Sequence, residues 1–178
     1  MKYPRDHIVL HHTGAEEKDA RQVREAHLRR GFRDVGYNYI IERNGLVVTG
    51  RSLDLPGAHC KAAEMNFKSV GVALIGNLEN HPPTDSQQNS LVGLVKSIQQ
   101  QHRIETGKIL PHGAVPGAST LCPGRYFPYD LLLQRLGEQT SLWRVQVGAF
   151  SSRENAENYA KGLEKMGIKC YLMKPGDK

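Results

Sequence analysis

With 178 residues, of which 39% are hydrophobic and 24% charged, the chain has room for one well-packed domain and a small appendage, and two large domains are excluded. It holds no run of about 18 apolar residues able to span a bilayer, so a soluble protein is expected. A formal charge of +6 with a pI near 9.3 favours anionic partners such as nucleic acid, acidic lipid or a polyanionic wall. Nucleic acid is disfavoured, because the chain has no block of five or more basic residues and no standard nucleic-acid-binding motif.

The first stretch, "MKYPRDHIVLHHTG", meets Pro4, Arg5 and Asp6 where a secretory signal needs apolar residues, so synthesis is expected to end in the cytoplasm. "HIVLH" (7–11) predicts a short buried strand. "EEKDARQVREAHLRRG" predicts a helix ending at Arg29, Arg30 and Gly31. "GYNYIIERNGLVVTGR" (36–51) is two β-rich runs around Asn44-Gly45, a strong hairpin signal, so antiparallel pairing enters the sheet. "SVGVALIG" (69–76) reads as a central strand covered on both faces. Pro82 and Pro83 break the chain, and Thr84 with Gln87 forms a capping box ahead of a helix with Leu91, Leu94, Val95 and Ile98 on one face. "ILPHGAVPGASTLCPGRYF" (109–127) is too rich in Pro, Gly, Ser and Thr for a regular helix. "PYDLLLQRL" (128–136) suits one more helix with Pro128 in its first turn. An α/β domain thus closes near residue 137.

Residues 138–142 read as a polar joint. "WRVQVGAF" begins a new alternating strand, Ser151 with Glu154 is a second capping-box candidate, a helix follows over "ENAENYAKGLEKMG", and "IKCYLM" after Gly167 is a last strand. The tail is therefore expected to be one small βαβ unit.

His112 and Cys122 in the 109–127 loop admit a metal site, a Cys/His catalytic pair, or two ordinary turn residues. A catalytic zinc needs three neutral or anionic ligands and a position left open, and His, His and Cys is a permitted set. The two residues are too far apart in sequence to share a helical face, so the loop must fold back, helped by Pro116, Gly117 and Pro123. The third ligand is expected at the end of the first strand. Because neighbouring strand residues point to opposite faces, His11 and His12 cannot both serve. Three cysteines, odd in number and far apart, make a disulfide framework improbable.

"IVLHHTGA", "DVGYNYIIERNGLVVTGR", "GAHC", "NFKSVGVALIGN" and "LPHGAVPGASTLCPG" together resemble the zinc-dependent N-acetylmuramoyl-L-alanine amidases of type 2, the family of phage amidase lysozymes and peptidoglycan recognition proteins. The resemblance covers about 130 residues. It implies a mixed central β-sheet flanked by helices, with zinc held by His11, His112 and Cys122, and His12 left to packing. It implies further that Tyr37 is the catalytic tyrosine, donating a hydrogen bond to the reacting group, and that His59 and Asn66 line the peptide groove. Thr120 stands where some relatives have a lysine, so a hydroxyl replaces a charge, and Ala73 stands where others have a glutamate base. Cys60 reads as a packing residue, and His7, His27, His81 and His102 receive no role.

"VQVGAF" followed by "ENAENYAKGL" resembles the SPOR repeat, which implies binding to peptidoglycan, above all to glycan strands stripped of stem peptides. The expected organisation is a catalytic domain over 1–137, a linker over 138–142 and a SPOR-like half-domain over 143–178. The expected function is hydrolysis of the amide between N-acetylmuramic acid and L-alanine by zinc-activated water. The alternatives are a noncatalytic peptidoglycan-binding module and a cysteine peptidase. The expected setting is a phage endolysin or an autolysin that reaches the wall after release. Because a SPOR domain usually holds two such repeats, the tail is expected to pair with a second copy in a homodimer.

Overall fold

The computed structural model describes residues 3–137 and 146–168, together with 170 and 172. The chain divides into two compact units, Met1–Gln139 and Thr140–Lys178.

The first unit is built on a five-stranded sheet in the order β3-β2-β4-β1-β5. The strands are β1 (His7–His12), β2 (Tyr39–Ile41), β3 (Val47–Thr49), β4 (Ser69–Leu74) and β5 (Ile109–Pro111). Only β2 and β3 run antiparallel; the other pairings are parallel, which makes the sheet mixed. Gly45 turns the hairpin at φ +88, and a side chain there would also meet the Ser86 carbonyl oxygen at 2.9 Å.

β4 is buried along its whole length, as its continuous apolar run requires of a strand covered on both faces. On one face Ile8, Leu10, Val70, Val72 and Leu74 join Leu91, Val95 and Ile98 of α3 (Asp85–His102) and Leu132 of α4 (Tyr129–Gly137). On the other face Val9 packs with Cys60, with Met65 of the short helix α2 (Met65–Lys68) and with Val115. The period of two along β1 puts His11 on this second face, beside Val9 and away from α3. Across from it β4 offers only Gly71 and Ala73, partners of Val9 and His11 in the parallel register, so β4 itself puts no bulky side chain into that space.

α3 starts with the capping box of Thr84 and Gln87. The buried Gln87 amide also donates to the carbonyls of Ile41 and Ile75, tying the helix to the ends of two strand segments. α1 begins at Ala20 rather than at Glu16, because Asp19 accepts from the Gln22 amide as its N-cap. Glu16 is drawn away to Arg43, His81 and the Asn77 amide. α1 (Ala20–Arg29) buries Ala20 and Val23 against Val35, Ile40 and Ile75.

In the second unit α5 (Arg153–Lys165) is capped by Ser152, whose hydroxyl accepts from the Asn155 amide, one residue later than the expected Ser151. Phe150 and Tyr159 stack with ring centroids 5.2 Å apart. Of the expected βαβ unit the structure shows the helix. Residues 146–150, 168, 170 and 172 carry no strand pairing, and 143–145, 169, 171 and 173 lie outside the described residues, as does the joint at 138–142.

Candidate metal centre

Two parallel strands deliver the first two donors side by side. Register pairs Leu10 with Pro111, so His11, still in β1, and His112, the first residue after β5, come side by side. Their ring centroids are 4.6 Å apart. His11 is 1% exposed, while His112 opens a short 3-10 turn and is half-buried.

The third donor arrives because the loop doubles back. The Gly113 amide donates to the Cys122 carbonyl at 2.7 Å. A side chain at Gly113 would meet the Thr120 carbonyl oxygen at 2.7 Å, so this close approach needs glycine. The Thr120 hydroxyl accepts from the Cys122 amide at 3.2 Å and fixes the turn. Beyond the cysteine, the Tyr126 amide donates to the Leu78 carbonyl and the Arg125 amide to the Glu79 carboxylate. Cys122 Sγ comes to rest 3.5 Å from His11 Nδ1.

Among the described residues, His11, His112 and Cys122 form a group whose donor atoms all lie within 4.8 Å of one another. Burial holds the protonation of both histidines down; for His11 the neighbouring His59, His112 and His12 add to it. Both rings are thus neutral near pH 7, the state in which imidazole ligates. Burial pushes the Cys122 thiol up to about 11. A thiolate is costly in this pocket unless a cation compensates it, so two neutral imidazoles and one thiol at this spacing fit zinc.

Tyr37 closes one side, its ring 5.2 Å from that of His11. Among the described residues its hydroxyl has only a long contact, 3.5 Å, to the His12 carbonyl, so the O–H is weakly committed. Burial first, then the nearby Cys122, pushes its pKa above the ordinary value for tyrosine, keeping it a phenol and a donor. Thr120 is exposed at the rim. His12 points away from the donors, and its Nδ1 accepts from the Leu78 amide at 3.0 Å.

His59 and Asn66, expected on the peptide groove, both make contacts within the chain beside His11. His59 is 8% exposed, and its Nδ1 lies 3.0 Å from His11 Nε2. Burial, His112 and two arginines lower its protonation to about 3. The Asn66 side-chain oxygen accepts from the amides of both His59 and Cys60.

His27, given no role from sequence, is 7% exposed; its Nδ1 accepts from the Gly36 amide at 2.9 Å, and its ring lies 5.2 Å from Tyr37. It thereby braces the segment that presents Tyr37. The signal was available, since Ala20, Val23 and His27 share one face of α1 at helical spacing.

Residues 1–125 match the family model described as N-acetylmuramoyl-L-alanine amidase, and residues 135–175 match that of the SPOR domain. A peptidoglycan-recognition protein of Drosophila simulans is 30% identical over 132 residues, 70% of this chain and 71% of that protein. An endolysin of Klebsiella phage KP32 is 36% identical over 110 residues, 58% of this chain and 68% of the endolysin. The solved structure of the amidase LysC from Clostridium intestinale superposes with a TM-score of 0.69 at 27% identity, covering 76% of this chain and 87% of that one. Sheet order, motifs and matches agree: the chain belongs to the type 2 N-acetylmuramoyl-L-alanine amidase and peptidoglycan recognition protein family and carries a SPOR domain.

Proposed function

We propose that the chain is a zinc-dependent hydrolase that cleaves the amide between the lactyl group of N-acetylmuramic acid and L-alanine of the stem peptide. The observation that carries this reading is the complete donor set, His11, His112 and Cys122, gathered at one mouth of the sheet. Zinc bound there supplies a Lewis acid for the scissile carbonyl and lowers the pKa of water towards about 7.

The chain's own residues do the rest. His11 and His112 stay neutral because they are buried, and so remain free to ligate. Tyr37 keeps its proton and directs a weakly engaged hydroxyl at the charge that develops on the carbonyl oxygen. Thr120, held at the rim by the Cys122 amide, has its own hydroxyl hydrogen left to donate to the same oxygen. With Ala73 buried beside His11, no carboxylate from β4 serves as base, and we assign proton transfer to Tyr37 acting with water: the phenol hands its proton towards the leaving nitrogen as it takes one from the attacking water, and so is protonated before and after the step.

The domain assignment follows the same reading: catalysis in 1–137, a joint at 138–142, and binding to glycan strands in 143–178, with action on the bacterial wall after release, as an endolysin or autolysin. None of the helices among the described residues is long and apolar enough to cross a membrane. The exposed Val147, Phe150, Tyr159 and Met166 support pairing of this tail with a second copy.

A noncatalytic recognition module is the second reading, favoured by the similarity to peptidoglycan-recognition proteins. Incubation with purified sacculi separates the two. The hydrolase exposes new L-alanine amino termini, and His112→Ala or Cys122→Ser abolishes them; wild-type protein that exposes none is a recognition module.

A further inference from the structure

His59 is a buried, titratable side chain that the mechanism above does not use, and its surroundings are built around its orientation. A side chain at Gly71 would come within 2.5 Å of the His59 ring, and one at Gly57 within 2.7 Å, so two glycines open the slot in which the ring stands. Asn66 holds its backbone through the His59 and Cys60 amides. Asn66 is held in turn, its carbonyl accepting from the Gly57 amide at 2.6 Å and from the buried Arg5 guanidinium at 3.2 Å.

The ring nitrogens carry the argument. His11 turns Nδ1 towards Cys122 and Nε2 towards His59. A nitrogen that ligates a metal bears no hydrogen, so the hydrogen of neutral His11 must sit on Nε2 and be donated to His59 Nδ1. His59 Nδ1 is then an acceptor, and its own hydrogen must occupy Nε2. That atom is buried and has no hydrogen-bond partner among the described residues. An orphaned buried donor is unfavourable, and native proteins avoid it without a compensating use. Here the fold tolerates the orphan in order to aim an acceptor at His11.

We infer that His59 is a positioning residue that locks His11 in its Nε2–H tautomer and so presents Nδ1 to the metal. This rests on the zinc reading above and on the contact between the two rings.

The test is zinc affinity of the metal-free full-length protein, measured by competition with a chromophoric chelator for wild type, His59→Leu and His59→Asn. Leucine fills the slot without an acceptor, and loss of the partner behind a ligand weakens binding about 10 to 100-fold. Asparagine can place its side-chain oxygen near the position of Nδ1 and should retain most of the affinity. In parallel, nitrogen NMR of the metal-free wild type should find the His11 proton on Nε2. His59→Leu binding zinc as tightly as wild type, His59→Asn as weak as His59→Leu, or a His11 proton on Nδ1 would each overturn the inference. Should His59→Leu fail to fold, the asparagine variant and the NMR assignment decide. Failure of wild type to bind zinc at all would instead overturn the metal reading itself, and this inference with it.

Discussion

His12 Nδ1 accepts a hydrogen bond from the Leu78 amide at 3.0 Å, so the second histidine of the pair ties β1 to the segment on which the Cys122 loop is anchored. His11 and His12, adjacent in sequence, thus work on opposite faces of the sheet. His12→Ala should lower stability by about 1 to 2 kcal/mol, because it strands the Leu78 amide. Bound zinc should stay at one equivalent. Thermal melts and metal content check this; loss of zinc at unchanged stability would reverse the roles of the two histidines.

Tyr37→Phe removes one hydroxyl and leaves the ring that packs against His11 and His27. It should keep zinc and lower kcat by about 100-fold or more, as loss of a single oxyanion donor does. Turnover within about twofold of wild type would take Tyr37 out of transition-state stabilisation.

The metal-free protein should lose stability in acid. Burial holds His59 down to about 3 and keeps His11 and His112 below their ordinary value of 6.5. The unfolded chain therefore binds more protons, and stability rises with pH. The contribution is fully present above pH 6.5 and declines as pH falls from there towards about 3. Each such group adds a slope of about 1.4 kcal/mol per pH unit inside its window. Melting temperatures of the metal-free protein at pH 7 and pH 5 should fall in that order, and a flat or rising trend would show that these rings are not buried neutral.

The sheet and the donor set were legible in the sequence because strong local patterns coincide with the site. Alternation along "HIVLHH" fixes which face His11 takes, Asn44-Gly45 fixes the hairpin, and Pro and Gly force the 109–127 loop to turn back. The orientation of the His59 ring was not legible, for a physical reason. "GAHC" shows a histidine in a loop, but whether its ring faces solvent or the core depends on Gly57 and Gly71, residues whose missing side chains make the slot only once β4 lies beside it. Arg5 has the same character: charged and near the start of the chain, it is buried by four backbone carbonyls, those of Leu53, Leu55, Asn66 and Ser69, that come together only in the fold.

Removing residues after 139 should leave hydrolysis of a soluble muramyl peptide unchanged and weaken binding to intact sacculi. If the exposed Phe150, Tyr159 and Met166 pair with a second copy, the same deletion converts a concentration-dependent dimer to a monomer in light scattering. A full-length chain that stays monomeric across concentrations would remove the dimer from the account, and unchanged binding to sacculi would remove the tail from wall targeting.

A metal held by His11, His112 and Cys122 is proposed to drive hydrolysis of the bond to L-alanine. The most direct measurement is mass spectrometry of the products from purified sacculi treated with the intact protein, with the chelated protein, and with the chelated protein given back one equivalent of zinc. Stem peptides beginning at L-alanine and glycan strands keeping intact lactyl groups are expected in the first and third samples, and neither in the second. Product formation indifferent to chelation would assign the chemistry to Cys122 as a nucleophile, and zinc restored without any product would contradict the enzyme altogether.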